Sequence, residues 1–243
     1  MRQDILQRLL DLNHEFYQTF ARPFSETRQR VQPGVLKAIK DLPFGTSVLD
    51  LGCGNGLLAK TLHQAGHRGT YLGLDSSKAL LGEAREDNLH PNATFLEIDL
   101  AQANWSSSLP TSFDHIFAFA ILHHIPGALL RNKIVKVLPS LMTENGLFIF
   151  SVWNFLSSPR FQNRILPWKK VGLHEDDLES GDYLLDWKRG GYGLRYVHSF
   201  GGQELQSMAH EAAFEVVQRY QSDGEDGKSA EYHVWRSTSS LLL

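Results

Sequence analysis

Apolar residues three or four apart over positions 3–20 (Ile5, Leu9, Leu12, Phe16 and Phe20) predict a helix with one buried stripe. Pro23 interrupts this pattern, and a second helix is expected to begin at Ser25 or after Pro33. From residue 46 the pattern changes, and short apolar runs alternate with amphipathic stretches. The runs "SVLDL", "TYLGLD", "TFLEID", "FDHIFAFA" and "GLFIFSVW" read as strands, and "GLLAKTLHQA", "KALLGEAREDN" and "ALLRNKIVKVLPSL" as the helices between them. Apolar strands separated by helices predict an α/β protein with a parallel sheet covered on both faces. Between 153 and 200 the rhythm fails, and a stretch rich in Trp, Gly and charge reads as an insertion of loops, short helices or a small ribbon. "GGQELQSMAHEAA" resumes a helix, and "FEVVQRYQSD" and "AEYHVWRST" read as two strands joined through "GEDGKS" in a hairpin.

Composition narrows the class. The 243 residues suit one domain with an elaboration, and 42% hydrophobic content is enough for a large core. The single cysteine, Cys53, excludes an internal disulfide and points to a reducing compartment. Asp4, Arg8, Asp11 and Glu15 break up the apolar run that a signal peptide needs, and no stretch reaches membrane-span length, so a cytoplasmic protein is expected. A net charge of −3 argues against a strongly basic nucleic-acid binder, while leaving room for a local patch.

The chemistry concentrates in "SVLDLGCGNGLLAKTL". Gly52, Gly54 and Gly56 lie between a strand and a helix, at the edge of a parallel sheet where ligands bind, and their missing Cβ atoms let a ligand approach the main chain. A tight turn with no ligand is the plainer reading. A dinucleotide loop would space its third glycine one residue later, and Asp50 just before the loop would repel a pyrophosphate. S-adenosylmethionine, with an ammonium, a sulfonium and no phosphate, suits that carboxylate better. Asp75, 19 positions after Gly56, suits the two hydroxyls of a ribose, and Asp99 in "LEIDL" suits an adenine amino group beside the Leu100 N–H. Each acid alone could be a helix cap, but three at successive strand ends favour a ligand.

In order, "VLDLGCGNG", "YLGLD", "FLEIDL" and "FDHIFAFAILHHI" resemble the motifs of class I S-adenosylmethionine-dependent methyltransferases, over roughly residues 45–155 and 200–236. The resemblance implies a Rossmann-like, seven-stranded, mostly parallel sheet with an antiparallel C-terminal hairpin and helices on both faces. It also implies a methyltransferase core over 46–152 and 201–237, N-terminal helices over 1–45 covering the cofactor cleft, and a substrate-binding lid over 153–200. The cofactor set it implies is Tyr17, Asp50, Gly52, Cys53, Gly54, Asp75, Ser76, Asp99, Leu100, Ala118 and Ile121. No metal site is expected. Adjacent His123 and His124 point apart and no third ligand is evident.

The flanks say more about the acceptor. "FYQTFARPFSETR", "VWN", "LRYVHSFGGQELQSMAHEAAFEVV" and "EYHVWR" are similar to the tRNA wobble-uridine methyltransferases that esterify a carboxymethyl group on the base. Members of that family can require a small activating protein that pairs with the sheet edge. A carboxylate acceptor is ionised at pH 7 and needs positioning rather than a base. Arg28 and Arg195 are the candidate cations for it, with Tyr17, Trp153, Tyr196 and His198 as walls or hydrogen-bond partners and His123 as a candidate base. Trp168 and Trp187 would stack on a base or hold the insertion together. Seven Lys/Arg against six acids over 153–200 make no strong phosphate track. A small-molecule acceptor, or a non-catalytic module that kept the fold, are the rival readings.

Overall fold

The computed structural model describes residues 1–27 and 30–238. The chain opens with α1 (Gln3–Thr19), α2 (Ala21–Glu26) and α3 (Pro33–Ile39). The predicted stripe is real: Ile5, Leu9 and Phe16 are buried, and Asn13 is buried with them. Pro23 does not end the helical region. It sits third in α2, where a backbone N–H has no intrahelical partner to lose.

The alternating region forms β1 (Val48–Leu51), α4 (Leu57–Gln64), β2 (Tyr71–Asp75), α5 (Lys78–Glu86), β3 (Ala93–Glu97), β4 (Phe113–Phe119), α6 (Ala128–Val137) and β5 (Met142–Trp153). The insertion holds α7 (Pro159–Gln162), β6 (Ile165–Leu166), β7 (Asp182–Trp187) and β8 (Gly193–His198). After it come α8 (Gly202–Glu211) and the hairpin β9 (Phe214–Ser222) and β10 (Ala230–Ser237). Among the described residues the main sheet has seven strands in the order β3-β2-β1-β4-β5-β10-β9. The first five are parallel, and β10 runs antiparallel to both β5 and β9.

Burial on both faces explains the unbroken apolar strands. Leu49 and Leu51 of β1 face one core, with Ile116, Phe148, Phe150 and Trp235. Val48, two residues before Asp50, faces the other, with Tyr71, Phe117 and Tyr232. In the insertion, β6, β7 and β8 form a second, antiparallel sheet, and α1 packs its Ile5 and Leu9 against Leu184 and Tyr196 of that sheet. Aromatic and charged residues carry this small sheet, so its strands lack the clean alternation that would announce them.

A buried charge cluster ties the small sheet to the core. Arg131 of α6 bonds Glu204 of α8 at 2.9 Å, the Ile125 carbonyl at 3.1 Å and, more loosely, Glu179 at 3.6 Å. His198 of β8 bridges Asp182 at 2.7 Å and Glu204 at 3.0 Å, and the Tyr196 hydroxyl donates to the same Asp182 at 2.6 Å. Burial works against a charged His198, but the two carboxylates prevail and hold its pKa above the ordinary value. Removing the cation strands two acids against each other. Arg131→Met is therefore expected to cost about 3 kcal/mol, read in thermal denaturation as a fall of roughly 6–12 °C.

Candidate functional site

The carboxyl ends of the parallel strands open into a cleft of about 1860 Å³, walled on its far side by α1, α2 and the insertion. Its floor is acidic. Asp50 lies 4% exposed in β1, lines the cleft and accepts a hydrogen bond from the Tyr71 hydroxyl. Burial pushes its carboxyl up to about 7, against the Tyr71 hydrogen bond and with help from the Asp75 charge. Asp75, at the end of β2, accepts from the backbone N–H of Gly54 at 2.9 Å and of Ser77 at 2.8 Å. Burial raises its pKa too, and those N–H groups oppose the rise. One bond to each oxygen leaves further lone pairs for a ligand.

The loop between these acids is bare by necessity. Gly52 has φ +70°, and a Cβ there would fall 2.0 Å from Ile121 Cδ1. Gly54 has φ +55°, and among the described residues nothing stands within 4 Å of where its Cβ would be, so the backbone faces the cleft. The donor set fits S-adenosylmethionine. Two carboxylates that burial already holds back from ionising would be relieved by an ammonium or sulfonium and worsened by a phosphate.

Most of the expected cofactor set lines one cleft: Tyr17, Asp50, Gly52, Cys53, Gly54, Asp75, Ser76, Asp99, Leu100 and Ile121. Two placements differ from expectation. β3 stops at Glu97, so Asp99 stands in the following loop, accepting from Ala101 N–H at 2.9 Å and from the Gln102 amide at 3.1 Å. Ala118 is not at the cleft: it lies inside β4, fully buried in the core. The strand runs to Phe119, which lines the cleft with Ala120, because successive side chains face opposite ways.

On the acceptor side the structure gathers Arg195, Tyr17, Trp153 and His123 at the cleft. Arg195 is 4% exposed and lies over the rings of Trp153 (5.1 Å), Phe16 (5.5 Å) and Trp187 (5.5 Å). Among the described residues its Nε has no hydrogen-bond partner. Asp186, which favours its charge, is already held by Arg164 at 2.7 Å and Lys188 at 3.1 Å. Burial is the main force drawing the Arg195 pKa down, with Tyr17 opposing.

His123 is buried, and its Nδ1 accepts the backbone N–H of Trp153 at 3.2 Å. The neutral ring therefore carries its proton on Nε2 and presents a donor rather than a base. Tyr196 and His198 are not cleft walls. They alternate with Arg195 along β8 and point into the buried cluster around Asp182. Trp168 is buried with Ile5 and Leu9 as packing, whereas Trp187 lines the cleft. Arg28 lies outside the described residues. Sequence reasoning missed Phe16 and Asn13. Asn13 falls on the helical stripe with Leu9 and Phe16, and a polar residue on an apolar stripe was the available signal.

Among the described residues no group of three or more His, Cys, Asp or Glu could hold a metal ion, and no helix is long and apolar enough to cross a membrane. Residues 48–142 match a family described as a methyltransferase domain. The chain is 26% identical over 150 residues to the tRNA (carboxymethyluridine(34)-5-O)-methyltransferase of Saccharomyces cerevisiae, covering 58% of this chain and 47% of that protein. It is 29% identical over 153 residues to the ubiquinone biosynthesis O-methyltransferase of Paraburkholderia phymatum, covering 61% of this chain and 62% of that one. The chain thus spans about half to three fifths of these two relatives. A solved S-adenosylmethionine-dependent methyltransferase from Clostridium acetobutylicum shares the fold at TM-score 0.63 and 17% identity, over 91% of this chain and 98% of that one.

A cationic ligand at Asp50, whose carboxyl is pushed up to about 7, would compete there with a proton. Calorimetric affinity for S-adenosylmethionine should fall about tenfold from pH 8 to pH 6. Asp50→Asn should bind weakly at pH 8 and lose that dependence.

Proposed function

We propose that this chain, a methyltransferase of the S-adenosylmethionine-dependent class, esterifies a carboxylate, and that its acceptor is a carboxymethyl group on the wobble uridine of a tRNA. The observation that carries the reading is Arg195. A guanidinium stays charged in a protein, and a buried one without a carboxylate partner is costly. Three ring faces offset part of that cost, about 0.5–2 kcal/mol each. An acceptor carboxylate would supply the missing counter-charge, fixed in orientation by the planar fork of donors.

When bound, S-adenosylmethionine supplies a methyl group on a positively charged sulfur. The residues of the chain have two tasks. Asp50 and Asp75 give the cation a negative floor, with ribose hydroxyls reaching Asp75 and the adenine edge reaching Asp99 and Leu100. Arg195, with Tyr17 and Trp153 around it, holds the acceptor oxygen in line. No base is required, because a carboxylate is already ionised at neutral pH. His123, with Nδ1 engaged, suits that requirement. Residues 153–200 act as the acceptor-binding lid.

Two features favour a large anionic acceptor over a small one. The cleft, at about 1860 Å³, exceeds the roughly 300–1,000 Å³ usual for small ligands. Arg160 and Arg189 line the insertion side, where phosphate contacts would fall, and Arg164 and Lys188 stand beside them paired with Asp186. The likeness to the yeast tRNA enzyme supports the same reading. The likeness to the ubiquinone enzyme favours a small phenolic acceptor as the second reading. A phenol must lose a proton, and His123 is poorly set to take it.

The test is transfer of a tritiated methyl group from S-adenosylmethionine to tRNA bearing carboxymethyluridine, to tRNA lacking it, and to a small-molecule extract. Label only in the first, released as methanol by mild alkali, is the expected result. Alkali-stable label, or label only in the extract, overturns the reading. Arg195→Lys should raise the acceptor KM at least tenfold and leave cofactor affinity unchanged.

A further inference from the structure

Among the described residues the anchor cation rides on a strand that has no strand partner on its outer side. β8 lies at the edge of the small sheet, paired with β7 alone, in the order β6-β7-β8. In an antiparallel pair a residue turns its N–H and C=O to the same side, so an edge strand leaves both groups unpaired at alternate residues. Tyr196, next to Arg195, is such a residue. Both its backbone groups are met by one side chain from another part of the fold. The Tyr196 N–H donates to Asn13 Oδ1 at 2.8 Å, and Asn13 Nδ2 donates to the Tyr196 carbonyl at 3.1 Å. The Asn13 carboxamide thus completes the ladder as a neighbouring strand would.

Nδ2 has a second proton, and it also has a partner. It donates to the His124 carbonyl at 2.8 Å, in the turn that carries His123. Asn13 is 6% exposed, so these bonds are shielded from water. Three and four residues along α1, on the same helical face, Phe16 lies under the Arg195 guanidinium and Tyr17 interacts with it. One residue further, Gln18 donates to the Ser76 carbonyl beside Asp75 at 3.2 Å. A single helix therefore touches the anchor strand, the turn after β4 and the turn after β2.

We infer that Asn13 is the positioning residue for Arg195: its carboxamide fixes the adjoining peptide of β8 against the His124 turn and so sets where the anchor cation stands relative to the cofactor. This rests on the reading of Arg195 given above only for its effect on the acceptor. The mechanical claim concerns the strand alone. The three-way match takes one acceptor and two donors on a planar group, which a carboxamide at this reach from the helix supplies. Asp in its place keeps the acceptor for Tyr196 N–H but turns a carboxylate oxygen toward two carbonyls. Ala leaves the Tyr196 N–H unpaired and its carbonyl with only the 3.5 Å contact to His124 Nδ1.

The experiment compares wild type, Asn13→Asp and Asn13→Ala in the full-length chain, with calorimetric binding of S-adenosylmethionine as the check that each variant is folded. The direct readout is hydrogen exchange at the Arg195 Nε–H, followed by nitrogen-15 NMR. Exchange at least tenfold faster in a variant that still binds cofactor supports the inference, whatever the acceptor proves to be. Unchanged exchange in both variants overturns it. With the tRNA acceptor, Asn13→Ala should raise KM about tenfold in the wild-type background and less than twofold when Arg195→Gln is already present, because both changes remove one interaction. Equal factors in the two backgrounds would mean that Asn13 does not act through Arg195.

Discussion

Water hydrates a guanidinium so well that a fold keeps one buried only where other contacts make up the loss. Arg195 is kept this way by three aromatic faces, two of which come from distant parts of the chain. Phe16 comes from the first helix, Trp153 from the end of β5, and Trp187 from the end of β7. The cage exists only when the N-terminal arm, the central sheet and the insertion are assembled together. That dependence explains the rest of the acceptor side. α1 packs along the small sheet, the Arg131 cluster pins the same sheet to α6 and α8, and the Asn13 carboxamide finishes its open edge.

The two ends of the cleft carry opposite signs. Asp50 and Asp75 make the floor negative, and Arg195 with the basic residues of the insertion makes the far wall positive. Such a polarity holds a cation below and an anion above. In the proposed ester formation both reacting charges disappear, so interactions with those charges are strongest before the reaction. Binding energy spent equally or more on the ground state does not speed the chemical step. The advantage left to the protein is orientation, holding an oxygen in line with the methyl group, which is worth several kcal/mol when geometry is fixed. A rigidly held Arg195 is what that kind of catalysis asks of the fold.

The floor behaves differently from the anchor. Asp50 is buried deeply enough for its carboxyl to be pushed up to about 7, and among the described residues its hydrogen-bond partner is the Tyr71 hydroxyl, which donates to it. Among the described residues Arg195 meets Tyr17 and ring faces but forms no ion pair within 4 Å of an acid, and Asp50 meets the Tyr71 hydroxyl but no cation. Ligands of matching sign complete the pocket.

Sequence alone determined the glycine-loop half of the cleft, since that half is built from one continuous rhythm. Strand, glycine turn and helix follow each other locally, and the acids Asp50 and Asp75 occur at strand ends that apolar runs mark out. Asp99 and Ala118 came out one step displaced, because strand ends depend on pairing with neighbours rather than on the run itself. The acceptor half was decided by tertiary structure. β6, β7 and β8 are legible only once the helix α1 and the core are there to bury their aromatic residues, so no period along the chain announces them. Arg195 was named from chemistry, yet its three ring neighbours lie 179, 42 and 8 residues away in sequence. Asn13 acts through backbone groups 183 residues distant. Local sequence fixes what a strand end can offer a ligand; only the closed fold fixes which side chains, far apart along the chain, share a cleft.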